Sequence, residues 1–187
     1  IACVISDRAS APALSFAEER GIATRVVSPK DFSDRSAWDA ALAEVAAAFA
    51  PDLVVLAGFM RLLGPAVLGR FPGRIINVHP ALLPAFPGHD GTAQAIAARV
   101  ALSGCTVHVV DAGVDTGPIL AQAAVPVLPD DDAERLHARI QVAEHRLLPM
   151  VVHAIACGHY ELGERPRYLG PTTSAAAPFY HWPPLGA

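Results

Sequence analysis

Cysteine is scarce in this chain: Cys3, Cys105 and Cys157 are an odd set with no Cys-x-x-Cys spacing, and all three sit among apolar neighbours. Such a set builds no disulfide framework and points to a reducing compartment. Long apolar runs are missing as well. None approaches the ~18 residues of a membrane span, and the start shows no charged-then-apolar leader pattern, so a cytoplasmic protein with no membrane partner is expected. Blocks of basic charge are equally absent: the net charge is −4 and the arginines are scattered. That leaves no footprint for nucleic acid, and a small anionic substrate would need locally placed donors. Tight metal spacings such as His-x3-His do not occur, so no metal is expected, and a metal reading would have to assemble His79, His89, Asp90, His108 and Asp115 from distant positions. No internal repeat is found.

What is present suits a compact α/β protein. With 187 residues, 52% apolar and 17% charged, the chain can enclose one sizeable core. One domain over residues 1–160 is expected, followed by a tail, 161–187, that is proline-rich and irregular from Pro171. Short branched runs alternate with helical spacing. Strands are expected over 1–6, 23–28, 52–59, 74–79, 105–110 and 119–127. Helices are expected over 11–21, 37–50 (capped by Ser36 with Asp39 three residues on), 65–70, 92–103 and 131–158, the last kinked or split at Pro149. This alternation implies a mostly parallel, twisted sheet with helices on both faces, and in such sheets ligands bind outside the carboxyl ends of the strands. Three loops follow predicted strands there: 58–61, 77–84 and 111–117.

The second of these loops begins inside the strand "RIINVH". Residues two apart on an extended chain share a face, so Asn77 and His79 aim at one spot. If an amine attacks a carbonyl there, negative charge grows on the oxygen, and an amide N–H with an imidazolium N–H can stabilise it; losing one such donor typically costs ~3 kcal/mol of barrier. A neighbouring carboxylate favours the charged imidazole and can take up the proton released by the amine, and Asp115 is the candidate. From spacing alone the same residues read equally well as satisfied strand-end and turn groups.

"NVHPALLPAFPG" followed by Asp115 in "VDTGPIL" resembles the formyltransferases that use 10-formyltetrahydrofolate. More narrowly, with "LVVLAGFMRLL" before it and "IQVAEHRLLP" after it, the pattern is similar to the phosphoribosylglycinamide formyltransferases of purine synthesis, over about residues 1–158. The resemblance implies a Rossmann-like formyltransferase fold. It implies formyl transfer from 10-formyltetrahydrofolate to the amine of 5-phosphoribosylglycinamide, with no metal, in a monomer or homodimer. It makes Asn77 and His79 the oxyanion pair and Asp115 the group that keeps His79 charged and moves the proton. It assigns Met60, Arg61, Leu62 and Leu63 to the folate pocket, together with the loop Ala112, Gly113, Val114 and Asp115, whose backbone bonds the pteridine. Pro80, Gln141 and Glu144 fall at positions that hold the ribonucleotide.

Two departures from the family pattern stand out. Ile1 matches the family's second strand, so the expectation is that the chain as given lacks the first βα unit, whose helix N-terminus holds the substrate phosphate. After Pro87-Gly88, Asp90 stands where many relatives carry His, and His89 precedes it. Methionyl-tRNA formyltransferases share the trio but carry an added RNA-binding domain and lack the His-Pro pair. Formyltetrahydrofolate hydrolase, with water as acceptor, and a non-catalytic folate-binding relative are the remaining alternatives. His108, in "CTVHVV", reads as a hydrogen-bonded structural residue of a strand.

Overall fold

The computed structural model describes residues 1–163, 165–171 and 181–182. Along the chain run β1 (Cys3–Ser6), α1 (Pro12–Glu18), β2 (Ala23–Val26), α2 (Arg35–Ala47), β3 (Val54–Leu56), α3 (Pro65–Arg70), β4 (Ile75–His79), α4 (Gly91–Ala97), β5 (Leu102–Val109), β6 (Ile119–Pro126), α5 (Ala133–Ala156), β7 (Tyr160–Glu161), β8 (Arg167–Tyr168) and β9 (His181–Trp182). The α/β class expected from the alternation is the one observed. Two compact units are seen, Ile1–Val54 with Arg61–Pro72, and Val55–Met60 with Gly73–Ala187.

In the first unit β1 and β2 pair in parallel, from Cys3 opposite Ala23 to Ser6 opposite Val26. Proline at the first turn of α1 starts that helix where a missing N–H costs nothing. The cap of α2 differs from expectation. Asp34, not Ser36, accepts from the Ala37 N–H at 2.9 Å. Asp39 is instead buried, 2% exposed, and its carboxylate accepts from the backbone N–H groups of Gly64 (2.7 Å), Ala66 (2.8 Å) and Val67 (3.4 Å). A buried carboxylate must be hydrogen-bonded, and the free N–H groups at the start of α3 meet that need. Trp38, 2% exposed, donates its indole N–H to Val27 O at 2.9 Å, just beyond β2.

The second unit carries a sheet in the order β3-β4-β5-β6-β9. Its ladders β4–β5, β5–β6 and β6–β9 run antiparallel, whereas the parallel pairing expected of most of the sheet is seen in the β1–β2 ladder. The reason is local for β5 and β6: residues 110–118 are too short for a crossover helix and fold back as a hairpin. The helix expected over 92–103 stops at Ala97, because Arg99 takes a left-handed conformation (φ 53°) and the chain enters β5 at Leu102. Gly104, which suggests a helix end in sequence, lies inside β5, where a side chain would run into the Ala123 carbonyl of β6. The expected strand over 52–59 shortens to β3, whose Val55 is exposed. α5 is a single helix with Pro149 inside it, not split there. Its Leu136, Ile140, Leu147 and Val151 form one face, each 2% exposed or less, and pack over β5 and β6. At about 1.5–3 kcal/mol per buried side chain, this face is a main anchor of the unit. β7 pairs with β8 ahead of Pro171; within the stretch expected to be irregular, β9 pairs with β6, and the rest of that stretch, 172–180 and 183–187, lies outside the described residues.

Candidate active site

The antiparallel register of β4 and β5 sets Asn77 opposite His108 and His79 opposite Thr106. Directly opposed residues share a face of the sheet, so all four side chains rise from the same side. Asp115 arrives from the loop between β5 and β6, with φ 54°. That loop is tied by its own side chains: the Asp111 carboxylate accepts from the Gly113 N–H at 3.0 Å and the Thr116 hydroxyl at 2.8 Å, and Val109 N–H donates to Pro118 O at 2.8 Å. At Gly117 a side chain would strike the Val109 carbonyl, so only glycine lets the turn close this tightly.

Asp115 sits between two histidines. Its Oδ2 is 3.3 Å from His79 Nδ1, and its Oδ1 is 3.5 Å from His108 Nε2. Oδ2 also accepts from the Gly88 N–H at 2.8 Å. The partners assign the protons. His79 Nε2 lies 2.8 Å from Phe86 O; a carbonyl only accepts, so Nε2 carries a hydrogen and donates it. The nitrogen of His79 that can gain or lose a proton is therefore Nδ1, the one facing Asp115. His108 Nδ1 likewise donates to Val109 O at 3.0 Å. Burial disfavours the charged form of His108 and outweighs the opposing pull of its Val109 hydrogen bond and of Asp115, holding its pKa below the usual value. A neutral His108 has an acceptor at Nε2, and Asn77 Nδ2 stands 3.3 Å from it. This orients the Asn77 amide with its NH2 toward His108, leaving a second N–H to donate elsewhere.

The sequence-predicted trio of Asn77, His79 and Asp115 is thus gathered around one point, and His108, read from sequence as structural, belongs with it. The signal that could have found His108 is the strand pairing, which sets it opposite Asn77. Phe86 O and Gly88 N–H are backbone groups and leave no mark in residue type. Ala112, Gly113 and Val114 lie in the loop that delivers Asp115. Pro80 follows His79 and is half-buried. On α5, Gln141 is exposed and Glu144 is half-buried. Burial raises the Glu144 pKa against the opposing effects of His137, His145 and His79. Met60 is exposed beyond β3. Arg61, Leu62 and Leu63 belong to the first unit. There Arg61 pairs with Asp7 at 2.7 Å, the Leu62 carbonyl accepts from Arg35 at 2.6 Å, and Leu63 is half-buried. His89 and Asp90 pair with each other in solvent, and among the described residues no cluster of three or more His, Cys, Asp or Glu suits a metal ion. No described helix is long and apolar enough to cross a membrane.

The formyl transferase family profile matches residues 1–152. The chain is 56% identical over 144 residues to phosphoribosylglycinamide formyltransferase of Mycobacterium tuberculosis (strain ATCC 25618 / H37Rv), covering 77% of this chain and 67% of that protein. It is 38% identical over 169 residues to phosphoribosylglycinamide formyltransferase of Escherichia coli (strain K12), covering 90% and 80%. Among solved structures, glycinamide ribonucleotide transformylase 1 from Symbiobacterium toebii superimposes with a TM-score of 0.87 at 48% identity, covering 91% of this chain and 81% of that one.

Proposed function

The chain belongs to the formyl transferase family, and we propose that its β4–β5 edge moves a formyl group from 10-formyltetrahydrofolate to the amine of 5-phosphoribosylglycinamide, with Asn77, His79 and Asp115 as the catalytic residues. The amine nitrogen attacks the formyl carbon and the carbonyl electrons move onto oxygen. Asn77 offers its second N–H to that oxygen, and His79 offers Nδ1–H, the one ring N–H not held by Phe86 O, which it shares between that oxygen and Asp115. Asp115 faces the same Nδ1, stabilises the imidazolium, and receives the proton that the attacking nitrogen releases, directly or through one water. When the tetrahedral intermediate collapses, the bond between the formyl carbon and the folate nitrogen breaks. That nitrogen takes up the proton held by Asp115, directly or through one water, and tetrahydrofolate leaves with the carboxylate restored.

Covalent catalysis by the protein is not part of this route. Cys105 is next to Thr106 in β5, so its thiol points to the opposite face of the sheet. Burial pushes its pKa up to about 12, leaving a protonated, unreactive sulfur. The family resemblance supports folate contacts by Met60, Arg61, Leu62, Leu63 and the loop of Ala112, Gly113 and Val114, and ribonucleotide contacts by Pro80, Gln141 and Glu144.

One observation carries the reading: the only exchangeable ring nitrogen of His79 faces a carboxylate at 3.3 Å, while its other nitrogen is fixed on a carbonyl. The test is an assay of 10-formyltetrahydrofolate turnover with and without 5-phosphoribosylglycinamide. Turnover that requires the amine and yields its formyl derivative is expected. Release of formate at the same rate without the amine would assign the site to hydrolysis, and folate binding without turnover would remove the enzyme reading.

A further inference from the structure

His79, Thr106 and Gln122 stand in one lateral row across β4, β5 and β6, paired His79 to Thr106 and Thr106 to Gln122. Thr106 is fully buried and every hydrogen-bonding capacity of its hydroxyl is used. It donates to Ala81 O at 2.7 Å, and it accepts from Leu83 N–H at 3.0 Å and from Gln122 Nε2 at 2.9 Å. Gln122 Nε2 also donates to Leu83 O at 2.8 Å. The polarity of this network is unambiguous, because Leu83 O can only accept and the Thr106 proton is already committed to Ala81 O. Two side chains thereby hold three backbone groups of the segment that follows His79. Three residues further along, that same segment presents Phe86 O to His79 Nε2, and two residues after that Gly88 N–H to Asp115 Oδ2.

We propose that Thr106 and Gln122 are positioning residues of the transfer site, a polar clamp that sets where Phe86 and Gly88 meet His79 and Asp115. Packing alone would be served as well by valine and leucine at these positions. What those residues cannot do is pin Ala81 O and both polar groups of Leu83. Releasing these groups lets the Phe86 carbonyl move off the imidazole, and the proton assignment of the ring goes with it. A displacement near 1 Å at a reacting group can cost about 10²-fold in rate.

The kinetic part of this proposal rests on the formyl-transfer reading, and the spectroscopic part does not. The test compares Thr106→Val, Thr106→Ser and Gln122→Leu in the full chain, following kcat and KM for formyl transfer, thermal unfolding, and the ring nitrogens of His79 by 15N NMR. Thr106→Ser keeps the hydroxyl and is expected to stay close to the unaltered protein in all three. Thr106→Val and Gln122→Leu are expected to lose about 10- to 100-fold in kcat with KM little changed. In both, at a pH that keeps the ring neutral, the His79 signal is expected to shift from an Nε2-protonated ring toward a mixture of tautomers. Folded Thr106→Val and Gln122→Leu with unchanged kcat and unchanged His79 signals would overturn the clamp. If Thr106→Val does not fold, Gln122→Leu, at a half-buried position, decides alone. If the unaltered protein transfers no formyl group, the functional reading fails, and the His79 spectra still support or overturn the clamp.

Discussion

His79 and Asp115 meet at 3.3 Å with side chains 6% and 14% exposed; His89 and Asp90 meet at 3.1 Å with side chains 81% and 75% exposed. The exposed pair is the shorter one, yet it has the weaker claim to chemistry. Water screens it, both side chains lose rotamer freedom to form it, and pairs of this kind contribute about 0–1 kcal/mol. The buried pair is over-determined. Phe86 O fixes one ring nitrogen and Gly88 N–H fixes a carboxylate oxygen. Separation therefore ranks these pairs wrongly, and the count of further partners ranks them rightly.

The largest effect should come from breaking the buried pair. Asp115→Asn keeps the shape of the side chain and removes the charge that holds the imidazolium and accepts the proton. A fall in kcat of about 10³-fold is expected, with folate binding retained in equilibrium titrations; unchanged turnover would strip Asp115 of its role. Asn77→Leu removes one oxyanion donor and is expected to cost on the order of 10²-fold in kcat, measured under saturating substrates. His108→Leu acts through Asn77, whose amide loses its acceptor, and should cost about 5-fold, the equivalent of losing a single net hydrogen bond of about 1 kcal/mol. Retention of full kcat in that variant would show that Asn77 needs no orienting partner.

The same variant tests a pH dependence. Folded His108 binds a proton less readily than it does unfolded, so unfolding takes a proton up in the window between its lowered pKa and the ordinary value of ~6.5. Its contribution to stability is complete above about 6.5 and falls as the pH drops through that window. Glu144 has the opposite sign: its raised pKa gives stability that is lost as the pH climbs above the ordinary carboxylate value. Thermal melts from pH 8 to pH 5 should show the acid-side decline in the unaltered protein and a shallower one in His108→Leu; equal slopes would contradict the assignment of a neutral, buried imidazole. The smallest effect is expected at the exposed pair. His89→Ala should leave kcat within about twofold and stability within about 0.5 kcal/mol, and a larger loss of activity would give that loop a role its exposure does not suggest.

Much of this site could be read from residue order, because its key side chains lie where period-two spacing and a turn speak for themselves. Asn77 and His79 share a strand face, and Asp115 stands in a loop dense with turn formers. Tertiary partners were harder to see. Asp39 looked like half of a capping box for its own helix and instead caps α3, since its burial required partners that only another segment supplies. Gly104 looked like a helix stop, whereas the stop is Arg99 in a left-handed conformation that few side chains favour. The antiparallel course of β5 and β6 was hidden because fully buried antiparallel strands read as the same unbroken apolar runs as parallel ones. Thr106 and Gln122 carry no motif at all, and only cross-strand register brings them to the segment they hold.

That His79 and Asp115 work as one unit is tested most directly by a double-mutant cycle on kcat with His79→Ala, Asp115→Asn and the pair together. Once either member is gone, the other has little left to contribute, so the double variant should be about as slow as the worse single one. Losses that multiply, as they would for two independent groups, would contradict a shared proton between the imidazole and the carboxylate.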